Sequence, residues 1–229
     1  TQPPELAGRE SEIAKIDLLM RRVEIGRSEK SLLITGLRGV GKTVLLNRFR
    51  DQADGRAWAA DLREMKGPKD HPQPFREVMA DMCRKTLLAL GRDQQAIDLV
   101  KRALGVLRSF RLRASVSEAG SLEYSAGIEP VTGVGDSGQL DIDLGDLLVE
   151  LGKVARARQK GVLLLLDEVQ NLRQPDLAAL IAALHQVDQR NLPVAAVAAG
   201  LPTLPVLAAE AKSYAERLFE FRVIGQLSV

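Results

Sequence analysis

Eight residues in the first quarter of the chain have the spacing of an anion cradle. Gly36-Leu37-Arg38-Gly39-Val40-Gly41-Lys42-Thr43 fits G-x-x-x-x-G-K-[ST]. Glycines let successive backbone N–H groups curl around a polyphosphate where a Cβ would obstruct it. A helix starting directly afterwards adds a dipole that favours negative charge. Lys42 would reach the β- and γ-phosphates, and the Thr43 hydroxyl would ligate Mg²⁺. Gly36, Arg38, Gly39, Val40, Gly41, Lys42, Thr43 and Val44 are the candidate nucleotide contacts; the Arg38 side chain could equally project into solvent. Further along, Asp167 and Glu168 close the most apolar run of the sequence, residues 162–166. A carboxylate at the C-terminal end of a buried strand lies where open α/β sheets bind ligands. Asp167 would hold Mg²⁺ through its water shell, and Glu168 would orient and polarise an attacking water.

The elements that must position these groups follow from hydrophobic period. Residues 9–25 read as an amphipathic helix on Ile13, Ile16, Leu19, Met20 and Val23. Residues 31–35 are a short buried strand leading into the glycine loop, and residues 43–50 resume helical period. A second strand is expected at 57–62, a Pro-rich loop at 67–74, and helices at 75–90 and 93–107. Weak alternation around Glu118-Ala119-Gly120-Ser121 predicts a β-hairpin insertion over 110–131. Residues 132–139 are Gly-rich and read as a mobile loop. A helix at 144–159, the apolar strand, a helix at 176–190, a strand at 193–199, a helix at 208–217 and a strand at 218–224 complete the chain. Strands alternating with helices predict an α/β fold, a three-layer α/β/α sandwich on a mainly parallel five-stranded sheet, with residues 1–229 as one domain.

Composition bounds the function. Aromatics are only 3% of the 229 residues, so Leu, Val, Ile and Ala must build the core, as suits a parallel sheet covered by helices. Lys and Arg number 32 against 30 acidic residues, too even a balance to indicate nucleic acid by charge. The one cysteine, Cys83, permits no intrachain disulfide and reads as a buried, inert thiol in a reducing compartment. No apolar run reaches membrane-spanning length, and the polar start has no signal-peptide pattern; a cytoplasmic protein is expected. The first residue, Thr1, suggests a trimmed fragment. With one Cys and only His71 and His185, zinc ligation is not expected. Arg108, Arg111 and Arg113, and also Arg156, Arg158 and Lys160, form basic clusters that could meet DNA phosphates or simply be solvated faces. Trp58 reads as core packing.

The order of motifs narrows the branch. A GTPase would carry D-x-x-G at the acidic strand and N-K-x-D later; Asp167-Glu168-Val169-Gln170 lacks the glycine and no N-K-x-D occurs. Gly135-Asp136-Ser137-Gly138-Gln139 only echoes the L-S-G-G-Q of transporter ATPases. The sequence resembles the AAA+ ATPases, especially their initiator-like, origin-recognition branch and the related bacterial STAND-like regulatory ATPases. The resemblance rests on Ala7-Gly8-Arg9-Glu10, similar to the element whose backbone lies near adenine; on the phosphate loop; on Asp167-Glu168; on the strand ending at Gly200; and on Tyr214-Ala215-Glu216-Arg217-Leu218-Phe219, similar to the segment that ends in an arginine finger. It implies ATP and Mg²⁺ as ligands, Gly8 and Arg9 on the adenine side within an N-terminal element at 1–30, and Arg217 as a finger reaching a neighbour's γ-phosphate in an assembly. It implies ATP hydrolysis coupled to conformational change in a larger protein. The alternatives are a nucleotide switch with little turnover and a DNA-associated initiator or transposition helper. Two departures stand out. The fourth strand ends Ala198-Ala199-Gly200 rather than in a polar sensor, with Thr203 the nearest hydroxyl. The helical lid that follows the fifth strand in that family would lie beyond Val229.

Overall fold

Three runs, apolar but for Ser31, Thr35 and Asp167, are buried along their whole length: β1 (Ser31–Thr35), β3 (Val162–Asp167) and β4 (Val194–Gly200). Strands covered on both faces are the signature of a parallel sheet's centre. β2 (Ala59–Glu64) and β5 (Phe219–Val223) are only partly buried and form the edges. The order is β2-β3-β4-β1-β5, with every pairing parallel. The expected five strands are therefore present in a sheet that is wholly parallel. These relations come from a computed structural model that describes residues 8–27, 29–67, 75–91, 97–112 and 129–226.

Alternation along each strand sorts side chains between two helical layers. Leu163, Leu165, Ala195, Val197 and Ala199 pack with Leu32 and Ile34 under α1 (Glu10–Glu24) and α2 (Lys42–Gly55). Leu164, Leu166, Ala196 and Ala198 face the opposite layer. That layer holds α3 (Phe75–Leu90), α4 (Ile97–Leu112), α5 (Leu140–Ala157), α6 (Gln174–Gln189), α7 (Leu204–Ala211) and α8 (Ala215–Leu218). Trp58 is core, as expected: it is 4% exposed and lies so close to Gly161 that a Cβ there would stand 2.3 Å from its ring.

Three sequence expectations need correction. The proposed hairpin at 110–131 begins inside a helix: Ala103, Val106, Leu107 and Phe110 are buried at helical spacing and carry α4 on to Leu112. Its central residues, 113–128, lie outside the described residues, and Val131 is irregular chain tied back to α4 by Ser109, whose hydroxyl donates to the Val131 carbonyl at 2.7 Å. The Gly-rich stretch at 132–139 is anchored rather than loose. The buried Asp143 carboxylate accepts from the Ser137 N–H (2.7 Å), the Ser137 hydroxyl (2.6 Å) and the Gly138 N–H (3.2 Å). The helix expected at 208–217 is two helices, α7 and α8, broken at Lys212.

Candidate functional site

β1 runs straight into the glycine loop. Gly36 is pressed against the chain leaving β5: a Cβ there would stand 2.5 Å from the Ile224 carbonyl oxygen. Gly39 and Gly41 have φ of +79° and +91°, backbone open to glycine, and Gly41 caps α2. Lys42 is 6% exposed, and its ammonium donates to the carbonyls of Gly36 (2.9 Å) and Leu37 (2.8 Å). The cation thus sits inside the curl of the loop. Val40 is buried beneath it, whereas Leu37, Arg38, Thr43 and Val44 line the exposed rim.

The acidic pair lies beside this loop. Thr43 Oγ1 donates to Asp167 Oδ2 at 2.5 Å, joining residues far apart in sequence. Asp167 Oδ1 accepts from the Glu168 N–H at 2.9 Å. No group of three or more His, Cys, Asp or Glu suited to a metal occurs among the described residues. A hydroxyl and one carboxylate at a single point are nonetheless the hard oxygen set Mg²⁺ takes when the remaining positions go to water and substrate phosphate. Thr43 and Asp167 therefore fit that ion.

Glu168 occupies the left-handed region, φ 53° and ψ 38°. Of the described non-glycine residues with positive φ, Ala57, Gln159 and Asn191 follow the ends of α2, α5 and α6, where such a residue closes a helix. Glu168 alone closes no helix; it turns the chain from β3 into a single 3₁₀ turn, Val169–Asn171. That backbone costs about 1 kcal/mol for a residue with a Cβ, and strain of this kind clusters at functional sites. The turn is pinned by Asn171, which donates to the Met65 carbonyl beyond β2 at 2.9 Å. Gln170 donates to Glu168 Oε2 at 2.5 Å and accepts from the Leu201 N–H at 3.0 Å. Neither Gln170 nor the strained turn was legible from motif matching, although Gln170 lies only two places after the acid pair.

Gly8 and Arg9 stand next to the loop, but the Arg9 side chain is committed to structure. It is 6% exposed and donates to the Val40 carbonyl at 2.9 Å and to the Gly225 carbonyl. Arg217 is not with the phosphate loop. It lines a groove of about 570 Å³ that also contains Ser31 and Val194, the first residues of β1 and β4, so it lies at the other end of the strands. Both basic clusters are partly engaged internally: Arg111 pairs with Asp81, and Arg156 donates to the carbonyls of Arg190 (2.8 Å) and Asn191 (2.6 Å). His185 lies beside the Tyr214 ring, 5.0 Å between centroids. Cys83 is fully buried, and burial, with Asp61 nearby, pushes its thiol up to about 12. No helix among the described residues is long and apolar enough to cross a membrane.

A glycine cradle at the end of an inner strand of an all-parallel sheet, with Asp167 and Glu168 at the end of a strand two places away, defines a P-loop nucleotide-binding domain of α/β architecture. Residues 5–197 match the AAA ATPase domain family, and the chain belongs to it; it is an ATP-binding domain. No curated protein matches the sequence. Among solved structures the chain is similar to Cdc6p from Pyrobaculum aerophilum, with TM-score 0.54 and 14% identity over 96% of this chain and 46% of that one. Weaker likenesses are to Aeropyrum pernix Orc1 in complex with DNA (TM-score 0.45, 14% identity, 97% and 46%) and to C. elegans PCH-2 (TM-score 0.41, 15% identity, 95% and 43%). The chain spans less than half the length of each of these structures. The Cdc6p likeness bears on the fold, which it shares.

Proposed function

We propose that this domain hydrolyses ATP with Mg²⁺ and that turnover drives a conformational change in a larger cytoplasmic protein. The observation that supports it best is the 2.5 Å contact between the Thr43 hydroxyl and Asp167, with Glu168 directly next in the chain. The N–H groups between Gly36 and Thr43 would hold the phosphates, and the Lys42 ammonium would lie against the β- and γ-phosphate oxygens. Thr43 and Asp167 would hold Mg²⁺, whose charge offsets that of the phosphate oxygens. Glu168 would take a proton from water as the water oxygen bonds to the γ-phosphorus and the bond to the β–γ bridging oxygen breaks, giving ADP and phosphate. Gly8 and Arg9 would contribute backbone to the adenine side. Arg217 would act on the γ-phosphate of a neighbouring copy.

Phosphate release by the full-length protein tests this. Glu168→Gln keeps the shape but removes the base, and turnover is expected to fall by about 10²- to 10⁴-fold while ATP is still bound. Wild-type turnover in that variant would exclude Glu168 from the chemistry. Absence of phosphate release from the wild type at any ATP concentration, with binding intact, would leave the nucleotide-switch reading instead.

A further inference from the structure

β4 ends in Gly200, which has no side chain to place between the phosphate loop and the acid pair, yet that position is where the two halves of the site meet. The Gly200 carbonyl accepts from the Gly36 N–H, the first amide of the loop, at 3.2 Å. The next amide, Leu201 N–H, donates to Gln170 Oε1 at 3.0 Å, and Gln170 Nε2 donates to Glu168 Oε2 at 2.5 Å. A side chain at residue 200 would displace the Gln170 amide from this position: a Cβ there would stand 2.5 Å from Gln170 Oε1 and 2.8 Å from Leu204 Cδ2. A side-chain amide suits this place because it presents an acceptor to the strand end and a donor to a carboxylate at once. Glu168, in left-handed backbone, has its carboxylate fixed by that donor.

We propose that Gln170 is a positioning residue: it holds the Glu168 carboxylate from the end of β4 and links its orientation, through Leu201 and Gly200, to the first amide of the phosphate loop. The proposal rests on the hydrolytic reading for its consequence in turnover, but the contact itself is independent of that reading. A chain of bonds of this kind lets a change in the loop on nucleotide binding reach the base two strands away, and it does so with backbone groups and one side chain.

The test separates positioning from packing. Gln170→Met keeps the volume under Gly200 and removes both polar contacts. In the full-length protein kcat is expected to fall about 10- to 100-fold, the scale on which a metal site loses function when a ligand loses its outer hydrogen-bond partner, with KM near wild type and a cooperative melting transition lowered by a few degrees at most, because the Leu201 N–H loses its acceptor. Gly200→Ala should lower kcat similarly by displacing the amide. Adding it to Gln170→Ala, where the Gln170 contact is already gone and only Leu204 has to move, should cost less than it does alone, the non-additivity expected of groups acting through one contact. Wild-type kcat in Gln170→Met, or full additivity of the two alanine changes, would overturn the proposal. A second readout needs no turnover: the side-chain amide signal of Gln170 in the ¹⁵N-labelled nucleotide-free protein, assigned by its loss in Gln170→Met, should shift in Glu168→Ala. If it does not move, the contact is absent and the proposal falls. If it moves while the wild type releases no phosphate, the positioning contact stands and it is the hydrolytic reading that fails.

Discussion

Lys42 does two things with one ammonium. Without nucleotide it satisfies the carbonyls of Gly36 and Leu37 from within the loop; with nucleotide bound, the same charge would lie against phosphate oxygens. Charge-assisted hydrogen bonds contribute about 1.5–3 kcal/mol each, so Lys42→Ala is expected to weaken ATP binding by at least about 10-fold, measured by calorimetry on both proteins. Equal affinity in the two would remove Lys42 from the binding mechanism. At this scale the sequence was most readable where a spacing repeats a mechanical necessity: the loop glycines, the lysine and the threonine are contiguous, and their geometry is dictated locally. The pairing of Thr43 with Asp167 could be inferred because Asp167 ends the buried strand β3 and Thr43 follows the loop that leaves the buried strand β1. Glu168's left-handed backbone and Gln170's bridge to Leu201 could not: the turn that Glu168 opens is pinned by Asn171 to Met65 beyond β2, and the bridge depends on what stands at the end of β4.

Elements are legible in proportion to how completely they are buried. The wholly buried strands β1, β3 and β4 and the strongly periodic α3 lie where their patterns place them, α3 at its expected ends. The start of the proposed hairpin, 110–112, belongs to α4, and the glycine stretch is held in place: glycine content says nothing about tertiary anchors. The anchor here is Asp143 on the first turn of α5. Besides its bonds to Ser137 and Gly138, it accepts from Arg76 of α3 at 2.8 Å, and that guanidinium also donates to the Phe110 carbonyl at 3.0 Å and lies 4.4 Å over the Phe110 ring. One carboxylate thereby ties α3, α4, α5 and the loop. Burial pushes the Asp143 carboxyl up, but the Ser137 hydroxyl and N–H and the Arg76 charge outweigh it, and the net direction is below the ordinary 3.8. A folded value below the unfolded one makes the anchor's stabilisation complete above pH 3.8 and lost as pH falls through the lower folded value. Asp143→Ala leaves Arg76 without its buried partner and is expected to cost about 3 kcal/mol at neutral pH. In urea titrations the gap between wild type and variant should close in acid. A gap that persists unchanged well below that pH would mean the charge is not what holds the loop.

At the scale of the whole molecule the sheet separates two functions by its own length. The phosphate loop leaves the C-terminal end of β1, whereas Arg217 precedes β5, whose first residue is in register with Ser31 at the start of β1. β1 has five residues, so roughly 15 Å of strand separates the two ends, and Arg217 faces a groove on the far side. It lies at the opposite end of the strands from its own chain's phosphate loop, so the finger role proposed for it calls for a second copy packed head to tail. Complementation tests that requirement. Arg217→Ala keeps Glu168 but offers no finger to its neighbour; Glu168→Gln keeps the finger but has no base. Each full-length variant alone is expected to bind ATP and release almost no phosphate. Mixed in equal amounts, about a quarter of random head-to-tail interfaces would pair an intact base with an intact finger, and phosphate release should reappear and rise with protein concentration. A mixture no more active than its components, or an Arg217→Ala protein with full turnover, would place Arg217 outside the chemistry and return it to the role of an ordinary charge at the end of α8.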